Sequence, residues 1–302
     1  MQLKISDVRK FESLELLAKQ LVEGFITGLH KSPYHGFSVE FAEHKLYNYG
    51  ESTRHIDWKL FSRTDRLYTK QYEEETNLRA HLVVDTSASM YYPAPGYDKI
   101  RFALFSAAAL AHLLVKQRDA VGLTAFSEGI DVQTDQKSTT LHLNNLLKIM
   151  EGWLEESPSK NNNTDIAEVL HHVADKIHKR SLVIIFTDMF QTGADLDRIF
   201  QSLQHLKHQR HEVLLFHISD LNTEKAFEFQ DRPYQFIDVE TNETINVNPS
   251  MIRKSYQEQM SSFYEEVKMR CGQVKIDLVE ADTNSSFDKI LSSYLIKRQK
   301  MK

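Results

Sequence analysis

The sequence predicts an α/β protein, a doubly wound and mainly parallel sheet with helices on both faces, preceded by a β-rich N-terminal elaboration. Three observations carry this expectation. Short apolar runs at residues 80–84, 120–126, 182–186 and 213–218 alternate with helical patterns at 98–117, 141–153, 166–177 and 196–206. The run 182–186 is apolar at every position, as a strand buried on both faces is. Oxygen-bearing side chains follow two of the runs directly, at Asp85, Ser87 and Ser89 and again at Asp188. In open parallel sheets the ligand crevice lies outside the carboxyl ends of the strands, which is where these residues fall.

In chain order, residues 11–29 come first. Leu14, Leu17, Leu21, Phe25 and Leu29 form one helical stripe, widened by Val22 and Ile26, and such a stripe docks on other elements. Residues 36–47 alternate Phe37, Val39 and Phe41 against Ser38 and Glu40, and residues 67–72 alternate again, so each reads as a half-buried strand. Between them stands YNYGESTRHIDWKLFSRT, residues 47–64. It supports two readings: a surface where Arg54, Lys59 and Arg63 meet a partner, or an internal network in which Arg54 pairs with Asp57 or a neighbouring acid while Trp58 packs. The internal network is the commoner arrangement. No Pro-, Gly- or Ser-rich linker separates Tyr72 from Leu82, so residues 1–78 are expected to pack on a main domain of 79–302.

The main domain opens on AHLVVDTSASM, residues 80–90, a strand that breaks into a loop of small and oxygen-bearing residues. A hard divalent cation needs several oxygen ligands on a compact arc, and a carboxylate with two hydroxyls at alternate positions supplies part of a shell. The helix 98–117 is apolar almost all round and therefore central. Residues 120–126 read as a strand, 129–133 as a short edge strand, and Ile166, Val169, Leu170, Val173 and Ile177 as a core-facing stripe before strand 182–186. Leu196, Ile199, Phe200, Leu203 and Leu206 give the next stripe and residues 213–218 the next strand. His205, His208 and His211 recur every third residue, but the third is expected to begin a strand, which argues against a shared zinc face and for imidazoles that complement a helix C-terminus. Further on, residues 236–240 (FIDVE) precede Asn248 and Pro249, a helix start running to Val267, and residues 274–279 read as the last strand. Ser285 and Asp288 read as a capping box, and Lys297, Arg298, Lys300 and Lys302 as a solvated basic tail.

Composition narrows the function classes. The 302 residues are 41% hydrophobic, enough for a sizeable core. A formal charge of -5 argues against a nucleic-acid or anionic-membrane partner. The single cysteine, Cys271, favours a reducing compartment, the longest apolar stretch is too short to span a bilayer, and residues 1–20 lack a secretory pattern. A cytoplasmic location is the expectation. No P-loop, nucleophile elbow or zincin motif is present.

The spacing Asp85, Ser87, Ser89 after an apolar strand resembles the metal-ion-dependent adhesion site of von Willebrand A domains. Such sites are completed by a threonine from a second loop and an aspartate after a later strand, and Thr164 and Asp188 stand in that order. The stretch 47–64, with its Tyr-x-x-Gly turn, Arg-x-Ile-Asp-Trp-Lys and Ser-Arg-Thr, resembles a bacterial domain-of-unknown-function family. Its members have a von Willebrand A-like fold and are commonly encoded beside MoxR-type AAA+ ATPases. The resemblance implies that the hydroxyls of Ser87, Ser89 and Thr164 hold Mg²⁺, with Mn²⁺ or Ca²⁺ as alternatives, while Asp85 and Asp188 fix them or bound waters. It implies a protein-interaction module without catalytic activity, whose partner offers an acidic side chain and is expected to be a MoxR-type ATPase. The alternative is a metal-dependent phosphohydrolase using the strand-end aspartates. Ser87 stands where such enzymes place a second acid, and a serine is a poor general acid there.

Overall fold

The structure is a computed structural model and describes residues 13–29, 44–47, 58–70, 78–93, 98–127, 129–155, 165–189, 194–238 and 243–301. Contacts separate the chain into two units, residues 1–28 with 78–302 and residues 29–77. The first helix, α1 (Leu14–Leu29), buries Leu14, Leu17, Ala18, Leu21, Val22 and Phe25, the stripe its periodicity predicts. In the smaller unit β1 (His44–Leu46) and β2 (Tyr68–Lys70) pair antiparallel, with Leu46 opposite Tyr68, and α2 (Trp58–Thr64) lies between them in sequence. Residues 36–43 of the expected first strand lie outside the described residues.

The larger unit continues with β3 (Arg79–Asp85), α3 (Asp98–Lys116), β4 (Ala120–Phe126), β5 (Ile130–Gln133), α4 (Thr140–Glu155), α5 (Ile166–Lys176), β6 (Leu182–Thr187), α6 (Ala194–His208) and β7 (Glu212–Ser219). After a hairpin of β8 (Tyr234–Ile237) and β9 (Thr244–Val247) come α7 (Pro249–Gln273), β10 (Asp277–Asp282) and α8 (Asp288–Met301). The sheet runs β10-β7-β6-β3-β4-β5, parallel throughout except for the antiparallel edge strand β5. From β3 the chain steps to β4 on one side and later returns to β6 on the other. The order therefore reverses between β3 and β6, the point at which such sheets open a crevice at their carboxyl ends.

Helices cover both faces, as the continuous apolar strands require. On one face Val83, Val183, Ile185, Val213 and Leu215 pack against α5, α6 and α7 through Leu170, Val173, Ile199, Leu203 and Val267. On the other, α3 lies against β3, β4 and β7 and contacts α4 and α8. Phe102 of α3 stacks on Phe287, with ring centroids 4.9 Å apart. The Leu14 amide donates to Glu151 of α4 at 2.9 Å, which fastens α1 to this larger unit.

Four local expectations are corrected. Helix α7 does not stop at Val267 but runs to Gln273, because Val274 closes it and Lys275 takes a φ of 58°. The last strand therefore begins three residues later than its apolar pattern indicates, at Asp277. Phe236 and Ile237 end β8, which among the described residues pairs with β9, Phe236 opposite Ile245. At the start of α8 the Asp288 amide is met by the hydroxyl of Ser286 at 3.2 Å, whereas Ser285 donates back to the Asp282 carbonyl. The basic tail is not solvated throughout. Lys297 is buried between Glu212 at 2.6 Å and Asp277 at 2.7 Å, and Arg298 pairs with Asp119.

Candidate functional site

Register builds the site. Val84 of β3 stands opposite Phe186 of β6, so the next residues, Asp85 and Thr187, arrive level with one another at the carboxyl end of the sheet. The Thr187 hydroxyl donates to one Asp85 carboxylate oxygen at 2.7 Å, and the Ser87 amide donates to the other at 3.0 Å. That second bond closes a turn at Asp85, a local pairing to which Asp is suited. It brings the Ser87 and Ser89 hydroxyls to 3.1 Å from one another. Ser87 is buried and Ser89 half-buried, so this pair marks the side of the site nearer to solvent.

Asp188 follows the end of β6 and is buried. Its carbonyl accepts from His217 Nε2 at 2.7 Å, and because a carbonyl can only accept, His217 carries its proton on Nε2. Burial holds the His217 pKa below its ordinary value against the opposing charge of Asp188. Met189 then takes a φ of 47°, uncommon for a residue with a side chain, while its amide donates to the Thr187 hydroxyl at 3.1 Å. The chain turns sharply after Asp188, and both neighbours of the carboxylate are pinned.

A cation of the protein's own stands in the same place. Lys99, in the first turn of α3, is 1% exposed, and its ammonium donates to Asp188 at 2.9 Å and to Glu224 at 2.5 Å. Glu224 belongs to a π-helical turn, Leu221–Lys225, that follows β7. Its second oxygen accepts the Asp220 amide at 2.8 Å, and the Asp220 side chain caps the amides of Asn222 and Thr223. Burial lowers the Lys99 pKa, but the charges of Asp188 and Glu224 outweigh it and hold the lysine protonated. For Glu224 burial is the larger influence and leaves its pKa raised in spite of Lys99.

The electrostatics are those of a cluster short of positive charge. Burial, and after it the charge of Asp188, push the Asp85 pKa up to about 7, although bonds from Ser87 and Thr187 favour its ionised form. Two buried carboxylates near one another resist joint ionisation unless a cation lies close, and one lysine is shared with a third acid. Two serine hydroxyls and two carboxylates are hard oxygen donors that fit Mg²⁺ or Mn²⁺ better than a soft metal. Among the described residues no three His, Cys, Asp or Glu side chains group as a metal cage, so a cation here would depend on the hydroxyls.

Of the residues expected in the site, Asp85, Ser87 and Ser89 form one hydrogen-bonded cluster, with Asp188 behind Thr187, and Thr164 lies outside the described residues. Arg54 and Asp57 also lie outside them, as does the side chain of Lys59. Arg63 is exposed. Trp58 meets Phe61 edge-on at 6.1 Å within α2. Sequence reasoning missed Lys99, Thr187, His217 and Glu224. Lys99 carried a usable signal, a cation at the start of a helix otherwise apolar almost all round. Among the histidines, His171 and His205 meet through their Nδ1 atoms at 2.9 Å, and His205 pairs with Asp175 at 3.3 Å.

The family described as Protein of unknown function DUF58 matches residues 43–265, about three quarters of the chain. The chain belongs to the DUF58 family. This DUF58 chain is 24% identical over 208 residues to uncharacterized protein Rv1480 of Mycobacterium tuberculosis and to uncharacterized protein Mb1516 of Mycobacterium bovis. The match covers 69% of the chain and 63% of the length of those relatives. Among solved structures it is similar to the conserved hypothetical protein BatB from Bacteroides thetaiotaomicron, at 14% identity and a TM-score of 0.46 over 74% of this chain and 100% of that one. An aerotolerance-related membrane protein from Bacteroides fragilis matches at 11% identity and a TM-score of 0.42, over 73% of this chain and 97% of that one. No helix among the described residues of the DUF58 chain is long and apolar enough to cross a membrane.

Proposed function

We propose that the DUF58 chain is a protein-interaction module that binds its partner through a divalent cation held by Asp85, Ser87, Ser89 and Asp188, with Thr164 completing the set. The observation that supports this reading is the meeting of the Ser87 and Ser89 hydroxyls, 3.1 Å apart, in front of two buried carboxylates at the switch point of the sheet. Mg²⁺ or Mn²⁺ suits such donors. When bound, it would supply an electrophilic position that a carboxylate from outside can complete. The chain's own part is to hold the hydroxyls still: the Ser87 amide on Asp85 sets the loop, and Thr187 ties that loop to β6.

The partner presents an exposed Asp or Glu. By the resemblance of residues 47–64 it is a MoxR-type ATPase, which places the protein in assembly or remodelling of other proteins. The test is calorimetry between the purified chain and the MoxR-type ATPase of its own genome, with Mg²⁺ and with chelator, for the wild type and for S87A/S89A. Binding only by the wild type and only with Mg²⁺ is expected. Equal affinity in all four conditions would move the interface away from this site.

A further inference from the structure

The ammonium of Lys99 stands where a second cation would have to work. Asp188 is one of the two carboxylates available to a divalent ion, and one of its oxygens already accepts from Lys99 at 2.9 Å. The lysine is 1% exposed, so it does not reach the site by chance from solvent. Glu224 holds the same ammonium at 2.5 Å, 125 residues away in sequence, and thereby joins the site to the Leu221–Lys225 turn. That turn is itself built by carboxylates, through Asp220 on Asn222 and Thr223 and Glu224 on the Asp220 amide. It leads into an aromatic lobe in which Phe227 packs on Tyr256 at 4.4 Å and on Phe236 at 5.7 Å.

Resting on the cation-site reading above, we infer that Lys99 is a resident counter-cation that competes with the divalent ion for Asp188, so that Lys99 sets the affinity of the site and Glu224 receives it when the ion arrives. Two positive groups cannot share one carboxylate without repelling each other across a few ångströms of buried space. As the ion claims Asp188, Lys99 shifts its charge onto Glu224. Lys99, no longer shared with Asp188, then leaves Glu224 to balance its whole charge, which alters the hold of Glu224 on the Asp220 amide and the Leu221–Lys225 turn and so reports occupancy of the site to the lobe beside it.

The experiment measures Mg²⁺ and Mn²⁺ binding by calorimetry for the wild type, K99Q, E224Q and K99Q/E224Q, with amide hydrogen exchange of residues 220–225 as a second readout. K99Q leaves two buried acids without their cation and is the variant most prone to misfold; the double variant removes one charge of each sign and keeps the balance. The double variant is expected to bind Mg²⁺ at least tenfold more tightly than the wild type, and E224Q more weakly, because its lysine then rests on Asp188 alone. Mg²⁺ is expected to change exchange at 220–225 in the wild type and to leave it unchanged in the double variant. A wild type that binds nothing beside a double variant that binds Mg²⁺ also supports the inference. If the wild type binds and the double variant matches it within twofold, with exchange at 220–225 unmoved, the inference is wrong while the cation reading stands. If neither binds either ion, the cation reading fails and takes the inference with it.

Discussion

Asp85 carries the clearest consequence at the scale of single residues. Its pKa in the folded chain is about 7, raised from an ordinary 3.8 by burial and then by Asp188. The folded state therefore keeps a proton that the unfolded state has lost between those two values. Stability must fall as pH rises through this window, at a limiting slope of about 1.4 kcal/mol per pH unit, and level off above it. Melting in chelator from pH 4 to pH 8, wild type against D85N, measures this. The Asn variant should lose that downward slope, and parallel profiles would refute the assignment. A second residue-scale prediction concerns His81 of β3, opposite Gly122 of β4, with Nε2 2.8 Å from the Thr124 hydroxyl and kept neutral, its pKa lowered to about 3 first by burial. A Cβ on Gly122 would stand 2.6 Å from His81 Nδ1. G122A should therefore cost about 1–3 kcal/mol in denaturant unfolding, as overpacking of a buried site does. A variant as stable as the wild type would show that His81 gives way. Legibility at this scale was divided. The sheet end that carries Asp85, Ser87, Ser89 and Asp188 could be read because all four fall within five residues of the end of an apolar run. Glu224 could not, because its place is fixed by a contact 125 residues distant and by a π-helical turn with no sequence signature.

Elements were legible wherever periodicity was long. The stripes of α1, α5 and α6 and the apolar runs of β3, β4, β6 and β7 appear as the pattern indicates, since burial on one face or on both dictates them. Boundaries failed where apolar residues continue past an element's end. Val274 and Ile276 look like strand residues, yet Val274 closes α7 and Ile276 packs into the core before β10 begins. The C-terminal cations failed for another reason, because nothing local in sequence tells an ion-paired lysine from a solvated one. Helix α8 is tied down by that pairing: Glu212 is held below its ordinary range, burial notwithstanding, by bonds from Lys297 and Lys207. That contribution is present above the unfolded pKa of Glu212 and lost as pH falls through the folded one. K297A should lower stability by about 1–2 kcal/mol at neutral pH, between the worth of an exposed and a buried pair, since Glu212 and Asp277 are half-exposed and keep Lys207 and Lys300, and by less under acid. A chemical-denaturation series at pH 7 and pH 3.5 tests this, and a loss that grows in acid would contradict it. For α1, Leu17 is 1% exposed, so L17A should cost about 2–5 kcal/mol. A loss below 1 kcal/mol would show that α1 is not part of the cooperative unit.

At the scale of the whole molecule the candidate site is a product of the fold, because Asp85 and Asp188 are far apart in sequence and come near one another only when β3 and β6 pair in register and Thr187 bonds Asp85. An unfolded chain has no such arrangement, so a cation that binds there binds the native state alone. Mass action then stabilises the fold by about 2.7 kcal/mol at a hundredfold excess over the dissociation constant. For a chain of this size that corresponds to a rise of roughly 5 °C in melting temperature. The rise should track Mg²⁺ or Mn²⁺ concentration, vanish with chelator, and be absent in S87A/S89A, whose substitutions lie in the loop outside the packed strands. Comparing that variant with the wild type also separates site binding from a general salt effect, which would lift both. Equal rises in the two proteins, or none in either and none in K99Q/E224Q, would remove the cation from the account of how this sheet end works.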